Sequence, residues 1–250
     1  MSDSFISGAL AGTLTDLLLH PIDTIKTRLQ SPSPSTSPYS VRGVFKGIGP
    51  VVCAGAPSAG IFFLTYDTLK RLLERTTGKK GAGVHLAASS VAEAVSCLVR
   101  VPFELVKQNA QINPDASSDS SLKTGEKLIQ KGGVRAIWKG YSSLVARNIP
   151  FTILHFPLYE HLRTTLHLPP SLAGAISGAT AALLTTPIDV IKTRIMVSEK
   201  KDGVGMWEVV RGMRGGEMWR GGGVRVVVAG VGAGVYLGGY EAVKAVLGQK

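Results

Sequence analysis

PIDTIKTRLQ at residues 21–30 returns as PFELVKQNAQ at 102–111 and as PIDVIKTRIM at 187–196. Each copy has a carboxylate two residues after its proline (Asp23, Glu104, Asp189) and a lysine five residues after it (Lys26, Lys107, Lys192). The prolines stand roughly 80 residues apart. A period that long is a domain-sized unit written three times. Three such units close on themselves as a pseudo-threefold ring, so positions that break the threefold pattern become candidates for function.

Outward from these segments, each copy has an apolar stretch, the proline motif, a polar linker and a second apolar stretch. The first stretches cover about 5–30, 84–111 and 172–197; the second cover about 50–73, 142–165 and 223–247. All approach the ~20 residues that cross a bilayer core. None is purely apolar, which suits a bundle with a lipid face and a wet interior holding ionisable groups. The expected fold is an all-α membrane protein. It has six transmembrane helices in three repeats (approximately 1–80, 81–169 and 170–250), forming a single domain over 1–250.

The linkers 31–40, 113–121 and 197–203 carry the Ser, Pro, Asp and Gly of loops. An aromatic, a base and a glycine follow each: Phe45-Lys46-Gly47, Trp138-Lys139-Gly140 and Trp219-Arg220-Gly221. Bases concentrate on the linker side, and the positive-inside bias turns that side inward. The second stretches end on their own signature: Tyr66-Asp67-x-x-Lys70, Tyr159-Glu160-x-x-Arg163 and Tyr240-Glu241-x-x-Lys244. Small residues repeat in the first stretches, as Ser7-Gly8-x-x-x-Gly12 and Ala173-Gly174-x-x-x-Gly178.

Composition agrees. Charged residues make up 18% and 30 glycines are present; soluble domains hold about 25% charge, and glycine allows close helix contact in membranes. The net charge of +11 suits anionic lipid or an anionic solute. Nucleic acid is not expected, because the bases are scattered and aromatics are 6%. Cys53 and Cys97 have no metal or redox spacing. MSDSFISGAL lacks an Arg-rich presequence or cleavable signal, so targeting is expected to be internal. VRVVVAGVGAG at 224–234 imitates a dinucleotide loop, but Gly230-x-Gly232-x-Gly234 has the wrong spacing and no βαβ unit can follow. With no nucleophile–base set and no metal cluster, neither enzyme chemistry nor a cofactor is expected.

A carboxylate and a lysine three residues apart share one helix face. Three such helices around an axis can pair acid to neighbouring base, and the second signature can close a similar ring at the other end. Rings that open in turn give alternating access to a midplane site.

The Pro-x-[Asp/Glu]-x-x-[Lys/Arg] triplet, together with [Tyr/Phe]-[Asp/Glu]-x-x-[Lys/Arg], resembles the mitochondrial carrier family over essentially the whole chain. The resemblance implies six tilted helices, three short matrix helices and a multi-pass place in the mitochondrial inner membrane. It implies a matrix gate pairing Asp23 with Lys107, Glu104 with Lys192 and Asp189 with Lys26. Gln30 and Gln111 would brace it, Met196 standing where a third glutamine belongs. It implies a cytoplasmic gate pairing Asp67 with Arg163, Glu160 with Lys244 and Glu241 with Lys70, alongside Tyr66, Tyr159 and Tyr240. Within the family, PIDTIKTRLQSP, HLAASSVAEAVSCLVRVPFELVKQNAQ and RNIPFTILHFPLYEHLR are similar to members that carry S-adenosylmethionine. Those members have Arg-Glu where this chain has Arg147-Asn148. The implied activity is antiport of cytosolic S-adenosylmethionine against matrix S-adenosylhomocysteine by a monomer, with anionic lipid such as cardiolipin as partner. A carrier of a nucleotide or a basic amino acid, and a carrier-fold scaffold without transport, are the alternatives.

Positions that break the threefold pattern nominate the cargo site. Aligned on the prolines, Gly12, Glu93 and Gly178 correspond, as do Asp16, Cys97 and Ala182, and Leu19, Arg100 and Thr185. Aligned on the closing acids, Arg147, Asn148 and Arg225 stand out against small or apolar counterparts, and His155 against the aromatic Phe62 and Tyr236. Asp16 and Glu93, taken as unpaired acids at membrane depth, would meet the sulfonium and ammonium. Arg147 or Arg100 would fork the carboxylate, and Asn148, Phe151, Phe62 and Tyr236 would meet adenine. Other readings stand beside these: Arg100 as a gate residue, Arg225 as a brace of the sixth helix, and His155 and Cys97 as packing.

Overall fold

The computed structural model describes residues 2–32, 37–78, 81–112, 121–198, 205–232 and 235. Side chains within these ranges are described from Thr15 onward, Ala82 excepted. The described chain is helical: α1 (Ser2–Gln30), α2 (Ile48–Thr77), α3 (Ala82–Ile112), α4 (Ser121–Gly132), α5 (Tyr141–Thr164), α6 (Pro170–Leu184), α7 (Thr186–Val197), α8 (Met206–Gly212) and α9 (222–232). Short 3-10 turns at Val134–Trp138 and Gly215–Trp219 lead into α5 and α9.

The three prolines act differently on their helices. Proline lacks the N–H that would bond four residues back, and its ring crowds that carbonyl. α1 and α3 run on through Pro21 and Pro102. The third copy breaks, with α6 and α7 meeting at 64° across Thr185. The Thr185 and Thr186 hydroxyls turn back to the Ala181 and Ala182 carbonyls, at 2.7 and 2.8 Å, and the Ala181 carbonyl also keeps the Thr185 N–H, at 3.0 Å.

Among the described residues, α2 and α3 are long and apolar enough to cross a membrane, and so is α6–α7 counted as one bent span. The other crossing segments carry inward charge. Among the described residues, large apolar side chains face outward, and polar and charged ones are buried beside an apolar core. Leu64, Leu72, Phe63, Phe156 and Leu184 face outward. Arg28, Gln30, Gln111, Thr24, Asp189 and Lys192 are buried. This inversion suits a lipid solvent, where backbone bonds close inside each helix.

Three glycines lock the repeats together. Gly47, Gly140 and Gly221 open α2, α5 and α9 with φ of +84°, +89° and +75°. Only glycine adopts this left-handed region without strain. Each glycine also lies against the proline-motif helix of the next copy. A Cβ at Gly47 would lie 2.9 Å from the Lys107 carbonyl oxygen, one at Gly140 2.7 Å from Met196, and one at Gly221 3.3 Å from Gln30. The ring closes where Gly232 of α9 meets Leu19 of α1, and within the third repeat Gly178 of α6 meets the Ala229 carbonyl. Gly47→Ala is therefore expected to cost more than the ~1 kcal/mol of left-handed strain alone, because its methyl strikes backbone. Gly78→Ala, at φ +64° with nothing within 4 Å, is the control. Equal losses in thermal midpoint for the two variants would contradict the docking role.

The linkers are tied to this frame. Arg28, 1% exposed, donates to the Gln111, Ser40 and Arg42 carbonyls at 2.9, 2.6 and 2.7 Å. His20 meets the Lys46 carbonyl at 3.0 Å, and the Thr24 hydroxyl donates to Val44 at 2.8 Å. Trp138 Nε1 and the Tyr141 hydroxyl donate to the Leu98 and Ala94 carbonyls of α3. An apolar cluster of Cys97, Val101, Leu105, Leu144 and Met196 packs α3, α5 and α7.

Candidate functional site: a closed charge ring beneath a cavity

The proline-motif charges meet at the linker end of the bundle. Lys107 Nζ lies 2.5 Å from Asp23, Lys192 Nζ 2.5 Å from Glu104, and Lys26 Nζ 2.6 Å from Asp189. Helical spacing puts each acid and lysine on one inward face, and the ring arrangement carries each lysine to the acid of a neighbouring repeat. All six charges are thus neutralised pairwise across repeat boundaries.

The three corners are unequal. Asp189, 1% exposed in its side chain, also has Arg147 Nε at 3.2 Å and Arg225 Nε at 3.7 Å. Gln30 Nε2 donates to it at 3.0 Å. Glu104 accepts a further bond from Gln108 at 2.9 Å. The Gln111 amide donates to the Thr24 hydroxyl at 3.0 Å rather than to a ring acid. The sequence expectation that Gln111 braces a charge pair is corrected on that point, since its amide donor is taken by the Thr24 hydroxyl.

Above the ring lies a cavity of about 280 Å³, lined among others by Asp16, Ser58, Arg100, Phe103, Glu104 and Lys107. Asp16 is exposed to it, and no cation lies within ion-pair distance of Asp16 among the described residues. Pockets that enclose a whole drug-sized ligand measure about 300–1,000 Å³, so this one has room for part of a solute.

Glu93 differs from its sequence reading as an unpaired acid. Arg100, two turns along α3, reaches it at 3.1 Å. Asn148 Nδ2 donates to it at 2.6 Å, and the Cys97 thiol lies 3.7 Å away. Asn148 also accepts from Arg147 at 2.8 Å, so one amide joins Glu93 on α3 to Arg147 on α5. The Arg147 guanidinium sits 5.4 Å above the Phe151 ring and remains 27% exposed in its side chain. Phe151 stacks on His155 at 5.6 Å, and His155 packs beside Gly178 of α6.

Arg225 is not at the cavity. It is 3% exposed and clasps Thr185, donating to its carbonyl at 2.7 Å and its hydroxyl at 2.6 Å. Its reading as a cargo contact is corrected by this burial; the alternative, a brace, fits the geometry. Phe62 stacks on Tyr66 at 6.1 Å, toward the opposite end. There, Asp67, Glu160 and Arg163 are exposed. Arg163 donates to the Leu168 carbonyl, and Tyr66 meets His85 Nδ1 at 2.6 Å. No ion pair joins Asp67 to Arg163 among the described residues. Tyr236, Tyr240, Glu241 and Lys244 lie outside those residues. The sequence reading did not name Gln108 or Thr24, and it named Thr185 only as the counterpart of Arg100. Gln108 carried a signal, because its counterparts six residues after proline are Thr27 and Thr193.

The family model for mitochondrial carrier proteins matches the chain three times, over residues 1–77, 78–170 and 167–250. The chain belongs to the mitochondrial carrier family. Among curated relatives, this carrier is 36% identical to the mitochondrial S-adenosylmethionine carrier protein of Xenopus tropicalis, covering 98% of this chain and 96% of that one. It is 36% identical to the protein of that name in Mus musculus, over 98% and 94%. It is 38% identical to the S-adenosylmethionine mitochondrial carrier protein homolog of Drosophila melanogaster, over 79% and 74%. The carrier is a multi-pass protein of the mitochondrial inner membrane, and a transporter rather than an enzyme.

Proposed function

We propose that this carrier moves S-adenosylmethionine into mitochondria in exchange for S-adenosylhomocysteine, by alternating access between two charge-paired gates. The observation that carries the reading is Asp16, a carboxylate exposed to the cavity with no cation in ion-pair distance among the described residues. S-adenosylmethionine bears a sulfonium and an ammonium against one carboxylate, and its excess positive charge suits such an acid. Arg147 keeps part of its fork turned from Asp189, which suits the cargo carboxylate. Phe151 beside it offers a flat face for adenine. The names of the relatives support the same cargo.

The proline-motif ring acts as the matrix gate and is shut here, while the described part of the opposite end is unpaired. The form is then one that admits cargo from the cytosol. S-adenosylhomocysteine has lost the sulfonium charge, so it leaves Asp16 more readily, which favours exchange over retention. The chain completes its own threefold ring and works as a monomer. Its basic matrix face suits anionic lipid such as cardiolipin.

Labelled S-adenosylmethionine uptake into liposomes, competed by S-adenosylhomocysteine, ATP and arginine, tests the cargo. S-adenosylhomocysteine is expected to inhibit uptake and to drive it from inside the vesicle. Inhibition by ATP alone would assign a nucleotide carrier, and inhibition by arginine alone a basic amino acid carrier.

A further inference from the structure

The braces of the ring are where the three copies diverge in complementary ways. Gln30, nine residues after its proline, spans the boundary between the first and third repeats. Its Nε2 donates to Asp189 at 3.0 Å, and its Oε1 accepts from the Thr193 hydroxyl at 3.0 Å. Thr193 stands six residues after the third proline. This boundary therefore holds an amide from one copy and a hydroxyl from the next, both beside the acid.

At the boundary between the third and second repeats, the chemistry is exchanged. The position nine residues after the third proline is Met196, and six after the second is Gln108. Met196 is 1% exposed and lies in the apolar cluster, its side chain against Gly140. Gln108 is 3% exposed, and its Nε2 donates to Glu104 at 2.9 Å, beside the Lys192 pair. Each of these two boundaries thus places one amide on its ring carboxylate, supplied from opposite sides.

We infer that Gln108 is the positioning residue of the Glu104–Lys192 corner, supplying from within the second repeat the amide that Met196 does not supply from the third. A buried carboxylate with one lysine keeps lone pairs to satisfy, and the amide fills one while fixing the rotamer that faces Lys192. Gln108 Oε1 has no hydrogen-bond partner among the described residues, where Gln30 Oε1 has Thr193. The exchange therefore conserves the donor to the acid and drops the acceptor. The inference concerns the gate and does not depend on the cargo.

Gln108→Thr, Met196→Gln and the double variant test it, as full-length carrier purified in detergent and reconstituted in liposomes. Threonine is the residue that the other two copies hold at that register, so Gln108→Thr preserves the fold. Gln108→Thr is expected to lower the thermal midpoint by about 2–4 °C. It is also expected to raise unidirectional leak of entrapped solute about threefold to tenfold, the net range of one ordinary intramolecular hydrogen bond. Met196→Gln together with Gln108→Thr rebuilds the Gln30–Thr193 arrangement, and is expected to return both readouts to near the parent values. A residue that merely packs would give additive losses in the double variant. Additive or greater loss overturns the inference, as does a Gln108→Thr variant unchanged in both readouts. The midpoint is read without solute, so failure of the S-adenosylmethionine reading leaves this arm intact.

Discussion

Asp189→Asn is expected to lower the carrier's thermal midpoint in detergent by about 10 °C, the largest loss of any single ring substitution. Asparagine keeps the shape of the side chain and removes its charge. Lys26, Arg147 and Arg225, now at 2.6, 3.2 and 3.7 Å from the carboxylate, would be left facing one another around a neutral amide. Removing one partner from a buried pair costs about 3–5 kcal/mol, and each kcal/mol shifts the midpoint of a chain this size by about 2–4 °C. Asp23→Asn is the comparison. Its acid is 22% exposed in its side chain and is paired with Lys107 alone among the described residues, so water can compensate part of the loss. A midpoint after Asp23→Asn as low as after Asp189→Asn would show that the extra cations at the Asp189 corner contribute nothing.

Asp16→Asn is expected to leave the midpoint near the parent value and to reduce S-adenosylmethionine exchange about tenfold to a hundredfold. The magnitude follows from losing one charge-assisted contact of about 1.5–3 kcal/mol. The fold should tolerate the change, because no ring charge pairs with Asp16 and its surroundings are the cavity. Glu93→Gln separates cargo binding from internal pairing. It strands Arg100 and alters the Asn148 bond, so its expected signature is lost stability together with lost exchange. Full exchange by both Asp16→Asn and Glu93→Gln would remove these acids from the cation site.

The gate charges were legible in the sequence because helical register decides them. An acid and a lysine three residues apart must share a face, and three copies must surround one axis. The contacts of Glu93, Arg147 and Arg225 were not legible, because they depend on how far a long side chain reaches across to a neighbouring helix. Arg100 finds Glu93 two turns away on its own helix, a spacing visible in the sequence, although seven residues is one of several reaches open to so long a side chain. Arg147 finds Asp189 on another repeat, and no spacing encodes that. Position 148 shows the same limit. As a letter, Asn148 is a missing acid; in the fold its amide accepts from Arg147 and donates to Glu93, a two-sided bond that a carboxylate could not make.

The break at Thr185 has a mechanical consequence. The Thr185 carbonyl at the bend keeps the Asp189 N–H, and Arg225 of α9 adds a grip on that carbonyl and on the Thr185 hydroxyl together. A crease filled in this way is a welded elbow, with its angle set by a guanidinium plate from the adjoining helix. Two of the three inner staves pass their prolines unbroken, and the third is bent before anything moves. A barrel built so has a heel: its third repeat alone carries a fixed bend among the three.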